Sequence, residues 1–181
     1  MPFDHFSAIA PIYARATYSS LDTLRKLGGF PTRGRLLDVG GGTGRVASAI
    51  RDLVDEVVIA DVSMGMLKQT DRSTLQPVCA FSESLPFPND SFERILMVDA
   101  LHHVVDQPST ANEMFRLLKP GGRIIIEEPD IRSFGVKLIA LAEKLLLMRS
   151  HFLSPQQIAS LFKDATIHVE NFSAWVVVTK T

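Results

Sequence analysis

Apolar positions along the chain follow two alternating patterns, continuous short runs and helical spacing. The short runs occupy residues 35–39, 57–60, 77–81, 92–98 and 123–127. Helical spacing occurs at residues 45–53, from residue 63 onward and at residues 108–118. Short apolar, β-branched runs are typical of buried strands, and strands that alternate with helices form βα units. The pattern therefore predicts an α/β fold with a parallel sheet that is covered on both faces.

The pattern changes after residue 128. Residues 134–148 form a nearly continuous apolar segment of helical length, and Ser154 and Pro155 are a typical N-cap and first helical residue. Residues 166–172 and 174–180 read as two strands with a very short connection, which makes the last strand antiparallel. The three valines at 176–178 suit a central strand of the sheet.

Composition indicates one soluble domain spanning residues 1–181. The 181 residues are 46% hydrophobic and 22% charged, which is typical of a globular protein with a real core. Nineteen basic and 20 acidic residues give a formal net charge of -1 without a basic cluster, so no nucleic-acid partner is predicted. The single cysteine, Cys79, excludes an intrachain disulfide and a cysteine-only metal site, and no metal is predicted.

The chain carries no recognisable targeting or membrane signal. Its first residues lack the charged-then-apolar order of a signal peptide. The apolar run at 138–148 contains Glu143 and Lys144 and is too short to span a bilayer. A cytoplasmic protein without stable membrane insertion is the resulting expectation.

A glycine-rich turn follows the first predicted strand. Asp38 ends that strand, and the turn contains Gly40, Gly41, Gly42 and Gly44. Glycine lets the backbone approach a bound molecule closely, so a ligand is expected at this strand end. The spacing fits both S-adenosylmethionine sites and the dinucleotide fingerprint, in which Ala47 would take the last position. A Walker A loop is excluded because no Gly-Lys-Ser/Thr follows.

Four motifs in order resolve this ambiguity. They are residues 37–44 (LDVGGGTG), 60–67 (ADVSMGML), 83–92 (ESLPFPNDSF) leading into 100–104 (ALHHV), and 118–122 (LKPGG). Together they resemble the class I S-adenosylmethionine-dependent methyltransferases, small-molecule type, and within it the ubiquinone/menaquinone-biosynthesis enzymes. The resemblance covers about residues 35–128. It implies a Rossmann-like, doubly wound, mostly parallel seven-stranded sheet with an antiparallel last strand.

The resemblance also implies a set of cofactor contacts to S-adenosylmethionine. The implied cofactor-binding residues are Asp38, Gly40, Gly41, Gly42, Gly44, Asp61, Val62, Met64, Phe81, Ser82, Glu83 and Val98. The carboxylate of Asp61 ends the second strand and can accept hydrogen bonds from two ribose hydroxyls. Met64 could lie against the adenine. Phe81 stands where the family usually has an aspartate that binds the adenine amine, so adenine recognition must rest on other groups.

Candidate residues for the chemistry follow the fourth and fifth strands. His102 and His103 could deprotonate an acceptor, and they are the predicted catalytic residues. The predicted substrate-binding residues are Tyr13, Tyr18, Asp99 and Glu128. Residues 1–30 are expected to form an N-terminal helical cap. Residues 131–152 are expected to form a helical lid, or an insertion that contacts a second copy in a homodimer.

The substrate class is narrowed by motifs that the sequence lacks. There is no Asp/Asn-Pro-Pro-Tyr after the fourth strand and no Pro-Cys nucleophile, so methylation of nucleic-acid bases is not predicted. The resemblance then implies methyl transfer to a small acceptor, which the apolar flanking segments suggest is lipophilic or aromatic. The alternative is a non-catalytic protein of the same fold that binds S-adenosylmethionine or serves as a partner subunit.

Overall fold

A computed structural model describes residues 20–145 and 150–181. The strands are β1 (Arg35–Val39), β2 (Glu56–Asp61), β3 (Gln76–Cys79), β4 (Phe92–Val98), β5 (Leu118–Pro129), β6 (Ala165–Glu170) and β7 (Ser173–Thr179). The helices are α1 (Leu21–Gly28), α2 (Arg45–Ile50), α3 (Met64–Leu67), α4 (Gln107–Leu117), α5 (Phe134–Leu145) and α6 (Pro155–Ala159). Short 3₁₀ turns lie at Arg51–Leu53 and Leu101–His103.

The strands of the described residues form one seven-stranded sheet in the order β3-β2-β1-β4-β5-β7-β6. Neighbours from β3 through β5 are parallel, whereas β7 runs antiparallel to both β5 and β6. The predicted fold and its antiparallel last strand are confirmed. The valines of β7 occupy the predicted central position, and Val176 and Val178 are buried.

Helices cover both faces of the sheet because each strand alternates its side chains between two apolar layers. One layer joins alternate residues of β1, β4 and β5 to α4 and α6, with Met114, Leu117 and Ile158 among its members. The other joins the intervening residues to α1 and α2, with Leu24 and Ile50 among its members. The sheet is therefore doubly wound. Ligands bind such sheets at the carboxyl ends of the parallel strands.

Two predicted boundaries differ from the structure. The apolar run at 123–127 predicts a fifth strand that begins at residue 123, but β5 begins at Leu118 with an irregular stretch, where Gly121 has φ 76° and the register with β4 shifts. The amide of Gly121 donates to the carbonyl of Lys180, so the backbone is hydrogen-bonded at this exposed glycine. The third strand ends at Cys79, which leaves Phe81 in the loop that follows.

The two expected flanking segments are described only in part. Of the predicted cap, α1 is described and ends at Gly29 in the left-handed conformation, but Tyr13 and Tyr18 lie outside the described residues. Of the segment at 131–152, α5 is described as a helix from Phe134 to Leu145. Whether these segments act as cap and lid stays a prediction.

Candidate active site

A cavity of about 230 Å³ opens at the carboxyl ends of β1, β2 and β4. Strand β1 lies between β2 and β4, so the chain order of the sheet reverses here, and open α/β sheets bind ligands at such a point. The predicted site residues that line the cavity are Asp38, Gly40, Gly41, Gly42, Asp61, Val62, Phe81, Ser82, Glu83, Val98, Asp99 and His103. The fold thus gathers the four loops that follow β1, β2, β3 and β4 around one space.

Asp61 ties the first two of these loops together. Its Oδ2 accepts the amide of Gly42 at 2.8 Å, and its Oδ1 accepts the amide of Ser63 at 2.7 Å. The glycine turn is fixed further by the amide of Gly40, which donates to the carbonyl of Ala60 at 2.7 Å. A carboxylate oxygen can accept more than one hydrogen bond, so this arrangement is compatible with a diol on the cavity side.

Asp38 is a buried acid on the cavity wall. It is 2% exposed, and its Oδ2 has no hydrogen-bond partner among the described residues. Burial, and secondarily the Asp61 carboxylate, raises the pKa of Asp38 from 3.8 to about 7, although Arg45 and the Ala47 amide oppose the change. A buried polar atom without a partner favours a ligand that supplies a hydrogen-bonding group there. The ammonium of S-adenosylmethionine has that chemistry, so these residues fit the cofactor.

The loop after β3 forms the expected adenine end of the cavity. Ser82 donates to Glu83 at 3.2 Å and accepts from Thr110 at 3.1 Å, and Glu83 also accepts the Asp106 amide at 3.3 Å. These bonds hold the loop against α4. The ring of Phe81 is 67% exposed and lies on the same wall. Adenine contact there would be made by an aromatic face and by backbone groups.

We expect Phe81→Asp to leave the fold intact and to leave cofactor affinity unchanged or higher. An exposed ring contributes little to the core, whereas a carboxylate could accept from the adenine amine. Calorimetry with S-adenosylhomocysteine and urea unfolding would measure both effects, with Phe81→Leu as the apolar control. A loss of more than about 3 kcal/mol in unfolding free energy would show instead that Phe81 is a core residue.

The opposite end of the cavity lies beyond β4. Val98, Asp99, Ala100, His103 and Val104 form this wall, and Asp99 has a positive φ of 53° where the chain leaves the strand. Burial, and secondarily the neighbouring His102, lowers the pKa of the His103 imidazole to about 3. The ring is therefore neutral near pH 7, and it is a weaker base than a catalytic histidine with a pKa close to the working pH.

Two predicted cofactor residues lie away from the cavity wall. A Cβ on Gly44 would stand 2.6 Å from Ile59 Cδ1 and 2.8 Å from Leu75 Cδ1, so Gly44 permits packing of α2 on the sheet. Met64 is 48% exposed at the start of α3, and Met66 takes the position on the cavity. Met66 rather than Met64 faces the cavity because the Ser63 side chain caps α3. The cap accepts a hydrogen bond from the Met66 amide and turns Met66 inward.

Two predicted residues for the chemistry are buried behind the wall. His102 is 2% exposed, and Glu128 is 3% exposed. Neither side chain lines the cavity, because the Nδ1 of His102 and a carboxylate oxygen of Glu128 lie 2.6 Å apart inside the protein. The geometry does not support His102 as the base or Glu128 as a substrate contact.

The sequence analysis missed several wall residues. They are Thr43, Arg45, Val46, Ala60, Met66, Ala80, Met97, Ala100, Val104 and Val105. Most are apolar and flank a predicted residue by one or two positions, so only their place next to the strand ends could have indicated them.

Comparison with known proteins shows where this site belongs. The profile of the Methyltransferase domain family matches residues 13–170. Ubiquinone/menaquinone biosynthesis C-methyltransferase UbiE of Coxiella burnetii is 41% identical over 105 residues, which cover 52% of this chain and 42% of that protein. The enzyme of the same name from Serratia proteamaculans is 39% identical over the same shares. The chain spans less than half the length of these curated relatives.

Solved structures share the fold at lower identity. An S-adenosylmethionine-dependent methyltransferase from Thermotoga maritima superposes with a TM-score of 0.79 at 23% identity, over 97% of this chain and 98% of that one. Another from Aquifex aeolicus gives a TM-score of 0.73 at 15% identity, over 97% of each chain. The chain therefore belongs to the Methyltransferase domain family, and the predicted S-adenosylmethionine-dependent class is confirmed.

Proposed function

We propose that this chain transfers the S-adenosylmethionine methyl group to a ring carbon of a small, lipophilic aromatic acceptor of the quinol type. The observation that carries the proposal is the wall beyond β4, where a neutral His103 lies among apolar groups. The relatives are named for C-methylation in ubiquinone and menaquinone biosynthesis, which supports the same acceptor class. The similarity covers only part of each relative, so the acceptor is our proposal.

The polarity of this wall favours an uncharged ring. Ala100, Val104 and Val105 offer apolar surface, and Asp99 is the carboxylate on the same stretch. Such a mixture of apolar surface and a few polar groups is typical of sites that orient a small organic molecule. A flat ring that bears hydroxyl groups would bury its faces and still find a hydrogen-bond partner.

The low basicity of His103 limits the kinds of acceptor that the protein could methylate. An imidazole with a pKa of about 3 is a poor base for a protonated amine or an unactivated carbon acid. A hydroquinone ring carbon is already nucleophilic because its own hydroxyls donate electrons to it. The chain then has to position the ring and exclude water, which are the contributions that proximity and orientation supply.

The bond changes are simple. The cofactor, when bound, supplies an electrophilic methyl group on a sulfonium. Bond formation between the ring carbon and that methyl group would release S-adenosylhomocysteine as the neutral thioether, and the same ring carbon would lose its proton to solvent once the transfer is complete. Asp99 and His103 would orient the hydroxyls during this step.

The proposal is tested with methyl-labelled S-adenosylmethionine and a panel of acceptors. The panel contains reduced benzoquinones and naphthoquinones with short and long prenyl chains, their O-methylated analogues, primary amines and carboxylic acids. Mass spectrometry should find labelled methyl on carbon in the free hydroquinones only. Methylation of oxygen or nitrogen would overturn the acceptor class, and binding without transfer to any member would favour the non-catalytic alternative.

Asp61→Ala is the control for cofactor dependence. Loss of hydrogen bonds to a charged group costs about 1.5–3 kcal/mol, so S-adenosylhomocysteine should bind roughly 10- to 100-fold more weakly to this variant. Product formation should fall with occupancy at low cofactor concentration. Binding of NAD as tight as that of S-adenosylhomocysteine would contradict the assignment of the cofactor pocket.

No helix within residues 20–145 or 150–181 is long and apolar enough to cross a membrane. A homodimer, the absence of a nucleic-acid partner and a cytoplasmic location stay predictions.

A further inference from the structure

Glu128 binds a single loop through three hydrogen bonds. Its Oε1 accepts the amides of Ala100 at 2.9 Å and Leu101 at 2.7 Å. Its Oε2 lies 2.6 Å from Nδ1 of His102. A carboxylate that accepts two amides leaves Nδ1 as the donor, which fixes the tautomer and the plane of the imidazole ring. A buried charge at the end of β5 thus organises the loop that follows β4.

The ring that Glu128 fixes is packed between two aromatic neighbours. The rings of His102 and Phe152 are stacked, with centroids 4.2 Å apart and an interplanar angle of 14°. The ring of His103, which lines the cavity, lies 4.0 Å away on a tilt of 48°. The orientation of His102 is therefore coupled, through direct contact, to the side chain of His103. We call the cavity wall beyond β4, formed by residues 98–100 and 103–105, the acceptor wall.

The same loop holds the segment that returns from α5. The carbonyl of His102 accepts the amide of His151 at 2.6 Å. The Gln107 side-chain amide donates to the carbonyls of Leu101 and His151, at 3.0 and 2.9 Å. Ser150 Oγ lies 3.3 Å from Nδ1 of His103. These hydrogen bonds hold residues 150–152 against the side of the acceptor wall that faces away from the cavity.

We propose that Glu128 and His102 are a pair of positioning residues that hold His103 and residues 150–152 as one acceptor-side wall. The inference rests on the proposed function, because it assigns this wall to the acceptor. Neither side chain touches the cavity, so their effect passes through His103 and Phe152. Misplacement of a binding wall by about 1 Å can cost roughly 100-fold in rate. The pair should therefore affect acceptor kinetics and leave cofactor binding intact.

Glu128→Gln is the main test because the amide keeps the shape and removes the charge. One oxygen can still accept the two loop amides, but the NH₂ group then faces Nδ1 of His102 and favours the opposite tautomer. Nitrogen-15 NMR of histidine should show this tautomer change. With a reduced-quinone acceptor, kcat/KM should fall at least tenfold, while the Kd for S-adenosylhomocysteine stays within about twofold.

Three further variants test the hydrogen bond and the stacking. His102→Phe keeps an aromatic ring against Phe152 and removes the donor to Glu128, whereas Phe152→Leu keeps the donor and removes the ring. Both should accelerate amide hydrogen exchange at residues 150–153 by at least tenfold. His102→Asn, which restores an N–H donor in a similar position, should recover more of the protection than His102→Phe does.

Glu93→Gln is the matched control. Glu93 also accepts a backbone amide, that of Arg35 at 2.6 Å, and pairs with Lys119, but it lies at the opposite end of the sheet. This variant should leave acceptor kinetics, histidine signals and exchange at residues 150–153 unchanged. If acceptor kcat/KM fell equally in Glu93→Gln and Glu128→Gln, general destabilisation would explain the effect, and the proposal would be overturned.

The NMR and exchange measurements do not need an acceptor, so they distinguish two failures. If no quinol is methylated but Glu128→Gln changes the His102 tautomer, the His103 signals and exchange at residues 150–153, the positioning pair stands and the proposed acceptor does not. If those signals and exchange rates remain as in the wild type, or if S-adenosylhomocysteine affinity falls as much as acceptor kcat/KM, the positioning pair is refuted.

Discussion

Asp38→Asn is expected to make the protein more stable above pH 7 and to weaken cofactor binding at the same time. The Asp38 carboxyl is buried, and its pKa rises from 3.8 to about 7 on folding, chiefly through desolvation and then through Asp61. A shift of this size corresponds to about 4 kcal/mol, at about 1.4 kcal/mol per pKa unit. The wild type carries this penalty as a buried charge at high pH, and a neutral amide of the same shape avoids it.

The sign of the pH dependence follows from proton binding. Below pH 3.8 the carboxyl is protonated in both the folded and the unfolded states. Between pH 3.8 and 7 the folded state binds more protons than the unfolded state, so stability falls as pH rises, and the loss is complete above pH 7. Relative to wild type, the unfolding free energy of Asp38→Asn should therefore gain about 3 kcal/mol between pH 5 and pH 8.

Urea unfolding at these two pH values measures the effect on stability. Asp52→Asn is the control, since Asp52 is an exposed acid beside Arg51 and should show little difference at either pH. An advantage for Asp38→Asn that does not grow with pH would contradict the assignment of a neutral, buried Asp38 in the free protein.

Calorimetry with S-adenosylhomocysteine measures the effect on binding. The cofactor ammonium should favour the ionised form of Asp38, so binding near pH 6 should release a proton, and the measured heat should depend on the ionisation enthalpy of the buffer. The loss of a charge-assisted hydrogen bond predicts binding weaker by roughly 10- to 100-fold in Asp38→Asn, without proton release. The site would thus gain its affinity at the expense of stability, which is common for functional residues.

Local sequence patterns predicted the sheet well, and they predicted which strand ends meet at the cavity. Strands β1 and β4 begin and end where their apolar runs do. The glycine turn and Asp61 meet because both lie at the carboxyl ends of adjacent parallel strands, a consequence of topology alone. The meeting of these two groups was therefore predictable from the sequence.

The sequence could not decide between neighbouring residues of the same type. His102 and His103 are adjacent, and the one that is buried is set by Glu128, which lies 26 residues farther along the chain. Met64 and Met66 are exchanged by the cap at Ser63, which sets the rotation of α3. Both outcomes depend on contacts made after folding. The wall beyond β4, which we propose for the acceptor, is built from such contacts, so fewer of its residues could be predicted from the sequence than of the wall formed by the glycine turn.

The second large effect is expected from alanine substitutions in the glycine turn after β1, because two of its glycines have different roles. Gly42 and Gly44 both have positive φ, at 57° and 81°. A Cβ on Gly42 would meet other atoms only at 3.9 Å, and the residue lines the cavity. A Cβ on Gly44 would overlap two core methyl groups at 2.6 and 2.8 Å. Alanine at either position strains the backbone, but only alanine at 44 also overpacks the core.

Gly121→Ala isolates the cost of the backbone. Gly121 has φ 76°, and no other residue in the described part of the chain has an atom within 4 Å of the position that an added methyl group would take, its two chain neighbours aside. Left-handed backbone costs an alanine about 1–2 kcal/mol, and overpacking typically adds about 1–3 kcal/mol. In urea unfolding, Gly42→Ala and Gly121→Ala should therefore lose similar unfolding free energy, and Gly44→Ala should lose roughly twice as much.

In calorimetry, only Gly42→Ala should weaken S-adenosylhomocysteine binding directly, by tenfold or more, because its methyl group occupies ligand space. Equal behaviour of Gly42→Ala and Gly44→Ala in both measurements would show that the turn acts as one unit.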